Sequence, residues 1–195
     1  MRPTTSRWLF IGLLALVIWR LLPLSTEQEM AAANRAWRTG HFDEATRIWS
    51  PLAEQGQPRA QVLMGWSHEV GQGSEQDMNR AISLYRQSAQ AGDAFGQYRL
   101  ADAYLRGAGV KRDLKEAFHW MDLAAHNGDV PAMLKVGVLH LMGVSGRVDL
   151  PQAKQWLYQA AQKGNKLALQ VLQELALAEE GSSRFDFNWQ SLLGK

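Results

Sequence analysis

Five residue ladders recur along this chain at a constant spacing of 36, and that spacing constrains the fold more than any other feature. Gly56, Gly92, Gly128 and Gly164 form one ladder; Ala45, Ala81, Ala117 and Ala153 form a second; Ala53, Ala89, Ala125 and Ala161 form a third. Gly71, Gly107 and Gly143 repeat in the same phase, as do Asp77, Asp113 and Asp149. A unit of this length cannot bury its own apolar face, so consecutive units must stack and share a core. A single globular core is therefore excluded.

Each unit reads as two helices. The first runs from about Pro58 to Val70, a Gly71-x-Gly73 loop comes next, and Asp77 caps a second helix that ends near Ala91. Gly92 supplies the left-handed residue that stops it, and Asp93 and Asp129 cap the next first helices. Small residues at Gly65, Ala81, Ala89 and Gly137 allow the paired helices to approach closely, and Pro131 and Pro151 fall in first turns, where proline is tolerated. Thr26 and Glu29 have the spacing of a capping box opening an earlier helix.

The residues Ala60, Met64-Gly65, Gly71-x-Gly73, Asp77, Ala81, Tyr85, Ala89 and Gly92 resemble the Sel-1-like repeat, a relative of the tetratricopeptide repeat. The second unit shows Gly107-x-Gly109-Val110, Asp113, Ala117, Trp120, Ala124-Ala125 and Gly128. The third shows Leu141-Met142-Gly143, Asp149, Ala153, Trp156, Ala160-Ala161 and Gly164, but carries Ser145-Gly146 where the second loop glycine belongs. The resemblance implies an all-α fold, a right-handed α-α solenoid. Its units are 57–92, 93–128 and 129–164, between a tetratricopeptide-like cap at 26–56 and a capping helix at 165–180. In the cap, Gly40 to Ala45 makes a tighter turn than the Gly-x-Gly loops.

Outside the repeats, Trp8 to Leu24 is apolar except for Arg20, and these 17 residues are near the minimum length for a membrane-spanning helix. Arg2 and Arg7 precede the run, so the positive-inside rule places the residues after Leu24 outside the cytoplasm. The expectation is a signal anchor at 1–25, in the inner membrane as a single pass. A signal peptide cleaved near Ala31-Ala32-Ala33, releasing the body to the periplasm, is the alternative. The charge supports export rather than nucleic-acid binding. The chain carries 21 basic and 19 acidic residues, and without Arg2, Arg7 and Arg20 the remaining 18 basic groups face all 19 acidic ones. There is no cysteine, which excludes disulfides, thiolate metal sites and a cysteine nucleophile. At the other end, the tail 181–195 carries Phe185, Phe187, Trp189, Leu192 and Leu193, which either fold back over the last helix or dock on another protein.

No metal-binding, phosphate-cradling or nucleophile-elbow motif occurs, which points away from an enzyme and from any cofactor. His68 and His140 lie two periods apart with Tyr104 between them, in a column where the family packs aromatics, and His119 and His126 read as a partly exposed pair. In the resembled family the first helices line a concave surface. Projecting that geometry gives the columns Val62, Tyr98, Leu134; Trp66, Asp102, Val138; and Glu69, Leu105, Leu141, with Arg106 and Met142 on the next turn. The expected groove is apolar, anchored by Trp66 and Tyr98, unless some of these residues pack as core. The family implies a scaffold or regulator holding a protein partner in the cell envelope. An immunity protein neutralising a secreted phospholipase-type effector is the alternative.

Overall fold

The computed structural model describes residues 25–181, and the membrane helix and aromatic tail expected at the two ends lie outside them. Among the described residues there are nine helices: α1 (Thr26–Arg38), α2 (Phe42–Glu54), α3 (Pro58–Val70), α4 (Met78–Gln90), α5 (Ala94–Arg106), α6 (Leu114–His126), α7 (Val130–Leu141), α8 (Leu150–Gln162) and α9 (Lys166–Glu179). Each packs against its neighbours in sequence, which makes an all-helical solenoid. None of them is long and apolar enough to cross a membrane.

The helix starts follow from local chemistry. The side chains of Asp77, Asp93, Asp113, Asp129 and Asp149 each accept a backbone N–H of the first turn, at 2.7–3.1 Å, satisfying donors that have no partner inside the helix. At α1 the capping box sits one residue earlier than the Thr26 spacing suggested. Ser25 is the N-cap and exchanges hydrogen bonds with Gln28 rather than Thr26 with Glu29. The second helices stop at glycines such as Gly92, whose φ of +87° is favourable only without a side chain.

Two further glycine positions set the packing. A Cβ at Gly65 would lie 2.7 Å from the Tyr85 ring and 3.1 Å from the Ala81 carbonyl, and one at Gly137 would lie 2.8 Å from Leu157. First and second helices therefore touch almost backbone to backbone. The second loop glycine works between repeats: a Cβ at Gly73 would sit 2.5 Å from the Phe42 carbonyl, and one at Gly109 2.5 Å from Met78. Ser145 cannot occupy that place. In the third loop the positive φ moves on to Gly146, at 117°, which explains the broken motif.

A buried ladder runs through the stack: Trp49, Tyr85, Met121 and Leu157 are all fully buried and 36 residues apart. Tyr85 is thus in phase with Met121 and Leu157, not with Trp120 and Trp156 as the motif alignment placed it. Those tryptophans continue the column of Leu84. The core divides into an N-terminal cluster and a C-terminal cluster, and Tyr104 and Trp120 pack against both.

Gly65→Ala and Gly137→Ala are each expected to lower stability by about 1–3 kcal/mol through overpacking. This outweighs the gain of about 1 kcal/mol in helix propensity that alanine brings over glycine. Urea unfolding followed by circular dichroism reads the sign directly.

Candidate functional site: the inner groove

First helices α3 and α5 lie directly against each other, whereas clefts separate the second helices α2 from α4 and α6 from α8. The stack therefore curves with its first helices inside. Several expected groove residues are nevertheless core. Val62 and Val138 are 0% exposed, and Leu105 and Leu134 are also buried. They point between neighbouring helices, so they cannot meet a partner, and the uniformly apolar groove is corrected on this point. Trp66, Tyr98 and Leu141 are half-buried, and Arg106 and Met142 are exposed. Tyr98 is already partnered, since the Lys135 ammonium sits 5.0 Å from its ring centre.

The middle of the groove is ionic. Glu69 on α3 accepts hydrogen bonds from the Tyr85 hydroxyl at 2.6 Å, from Arg106 at 3.0 Å and from Arg99. Asp102 on α5 accepts from Arg106 at 2.7 Å and from Lys135 on α7 at 2.6 Å. The bridges from Glu69 and the Lys135 bridge all step from one repeat to the next. Burial pushes the carboxyls of Glu69 and Asp102 up. The Tyr85 hydroxyl with Arg99 and Arg106 outweighs this at Glu69, and Lys135 with Arg106 outweighs it at Asp102, so both are held below their ordinary values. Burial and the neighbouring Glu69 carboxylate push the Tyr85 hydroxyl up. Each of these groups is committed to a neighbour, an arrangement suited to joining repeats. Among the described residues no cluster of three or more His, Asp or Glu has the geometry to hold a metal ion.

Toward the N-terminus the groove changes character. Between α1 and α3 a concavity of about 530 Å³ is lined by Trp37, Trp49 and Trp66 and by Arg35, Arg38 and Arg59, with no carboxylate on its wall. Trp37 holds the aromatic group together, with ring centres 5.1 Å from Trp49 and 4.9 Å from Trp66. Arg59 stacks over Phe95 at 4.7 Å. Of this pocket the sequence pointed only to Trp66. Arg99 and Lys135 in the ionic stretch were also missed, yet they stand 36 residues apart in the column of Leu63, a charged pair at one repeat position.

A family model described as Sel1 repeat matches residues 58–93, 94–129 and 130–165. No relative was found among curated proteins. Among solved structures the chain is similar to a Sel1 repeat protein from Oxalobacter formigenes, with TM-score 0.71 and 25% identity, covering 80% of this chain and 64% of that one. It is also similar to c5321, a protective antigen present in uropathogenic Escherichia coli strains that displays an SLR fold. There the TM-score is 0.69 and the identity 25%, over 86% of this chain and 37% of that one. This chain thus spans less than two thirds of the length of either.

Because Glu69 and Asp102 ionise at lower pH when folded, their contribution to stability is complete above the ordinary carboxylate range, about pH 4. It is lost as pH falls through their lower folded values. Asp129 runs the other way, since burial raises its carboxyl, and its contribution weakens as pH rises. Asp102→Asn strands the Lys135 ammonium, whose side chain is only 12% exposed. It should lower stability at neutral pH by about 3 kcal/mol. Its acid limb should also be shallower than that of the unmodified chain. Denaturant titrations across pH test both, and parallel acid limbs would remove Asp102 from the linkage.

Proposed function

We propose that this chain, which belongs to the Sel1 repeat family, is a protein-interaction scaffold that grips an acidic, aromatic-bearing segment of a partner at the N-terminal end of its inner groove. The observation that carries this reading is the pocket between α1 and α3, where Trp37 and Trp66 meet Arg35, Arg38 and Arg59 over the buried Trp49, with no carboxylate on the wall itself and Asp93 beside Arg59 at 3.8 Å. Tryptophan and arginine dominate the energetics of protein interfaces because they combine large apolar area with directional polar contacts. An aromatic side chain would fill the space beside Trp66, and flanking carboxylates would meet Arg38 and Arg59. The three tryptophans pack on one another through Trp37, so the pocket is formed before the partner arrives, which lowers the entropic cost of binding.

The scaffold works outside the cytoplasm, tethered by Trp8 to Leu24. Support comes from the sequence: an apolar run preceded by arginines, then a body without surplus positive charge.

Two experiments test this. With a photo-crosslinking residue at Asn34 in the full chain, a partner should be captured in membranes, and Arg59→Glu and Trp66→Ala should each weaken capture about tenfold, the effect of about 1.4 kcal/mol. Equal capture by both variants would exclude the pocket. For location, the absence of native cysteine permits a clean label: Val148, 62% exposed, is replaced by cysteine. A membrane-impermeant maleimide should reach it in cells with a permeabilised outer membrane and an intact inner one. Labelling only after lysis would place the repeats inside.

A further inference from the structure

The outer side of the stack carries its own periodic feature. The cleft between α2 and α4 is lined by Ser50, Ala53, Gln61, His68, Leu84 and Gln87 and encloses about 220 Å³. Seventy-two residues later the cleft between α6 and α8 repeats it, with Asp122, Ala125, Met133, His140, Trp156 and Gln159 at the equivalent positions, but it encloses about 850 Å³.

The difference has a chemical cause. In the first cleft the Gln61 carboxamide donates to the Ala53 carbonyl on α2, at 3.4 Å, and to the Gln87 side chain on α4, at 3.1 Å. It clasps the two second helices together. Gln97 does the same one repeat on, donating to the Ala89 carbonyl on α4 at 3.3 Å and accepting from Asn127, just past α6, at 2.9 Å. The third residue of that column is Met133, buried and without any N–H to donate, so nothing clasps α6 to α8 from this position. A second contact is missing beside it. His68 Nδ1 is hydrogen-bonded to the Glu75 carbonyl at 2.9 Å, whereas His140 Nδ1 is buried with no partner among the described residues. The equivalent carbonyl, that of Arg147, lies in the third loop, where the second positive φ falls at Gly146 instead of at Ser145.

We propose that the α6–α8 cleft binds an extended, uncharged peptide segment of another protein, whose amides take the place of the absent carboxamide. The Gln61 and Gln97 clasps show what this geometry accommodates: an amide group held between one second helix and the next. Gln152, Gln155 and Gln159 form a stripe along α8, each offering one acceptor and two donor hydrogens. From Gln152 to Gln159 the helix rises about 10 Å, the length of about three extended residues. Phe118 and Trp156 give side chains an apolar floor. The charged groups on the wall do not favour a charged ligand. The two signs are mixed on this wall: Asp122 lies 3.3 Å from the His126 ring, Asp149 is committed to capping α8, and Lys163 stands at the other end. This site lies on the opposite side from the tryptophan–arginine pocket and does not depend on it.

The test uses the full chain in detergent micelles, panned against a phage library of random heptapeptides. Peptides poor in charge and rich in amide side chains should be enriched, and they should bind Trp66→Ala as well as the unmodified chain. Met133→Gln, which restores the residue type of Gln61 and Gln97, should close the cleft and weaken their binding about tenfold, with no loss of thermal stability. The double variant Gln155→Leu, Gln159→Leu, altered only at positions outside the core, should weaken binding similarly. No enrichment, or undiminished binding to both variants, would overturn the proposal. So would binding that appears only after residues 182–195 are removed, because the cleft would then be filled by the chain's own C-terminal segment.

Discussion

The close approach of two helices inside each repeat governs the rest of this molecule. Where Gly65 meets Ala81 and Gly137 meets Ala153, no side chain separates the helices, so the pair has a fixed distance and crossing geometry. Large residues are displaced to either side of that contact. Tyr85 and Leu157 pack directly against those glycines, and with Trp49 and Met121 they make the fully buried ladder of the core. The aspartate caps and terminal glycines then only have to start and stop helices whose mutual placement is already determined.

Given that frame, the two sides of the stack are joined by different chemistry. Inside, Glu69 and Asp102 link first helices by charge-assisted hydrogen bonds that cross from repeat to repeat. Outside, Gln61 and Gln97 link second helices through neutral amides. The third repeat departs on the outer side and in its loop: Met133 stands where the glutamines stood, and Ser145 where a loop glycine stood. The third repeat keeps the inner link, through Lys135 to Asp102, and lacks the outer one.

The sequence was legible wherever one residue type serves one local role. Helix α3 runs from Pro58 to Val70 as its spacing predicted, because the proline start and the Gly71 stop are both local signals. The capping box missed by one residue because Ser25 and Thr26 offer equivalent hydroxyls and only the chain direction entering α1 chooses between them. The groove was less legible. Successive residues of a helix turn by about 100°, so a column assigned to the groove needs only a small rotation of the helix to become core, as Val62 and Val138 did. Long-range pairs such as Glu69 with Arg99 leave no signal in either residue alone. Their clue was periodic: Arg99 and Lys135 repeat a charge where Leu63 sets an apolar precedent.

Tyr104 and Trp120 carry a consequence of their own. They are half-buried, and they are the aromatic residues that touch both hydrophobic clusters. They join the two clusters from α5 and α6, and on the inner side of the same joint Asp102 is bridged to Lys135 of the next repeat. A substitution at either ring is therefore felt by both halves of the solenoid's interior.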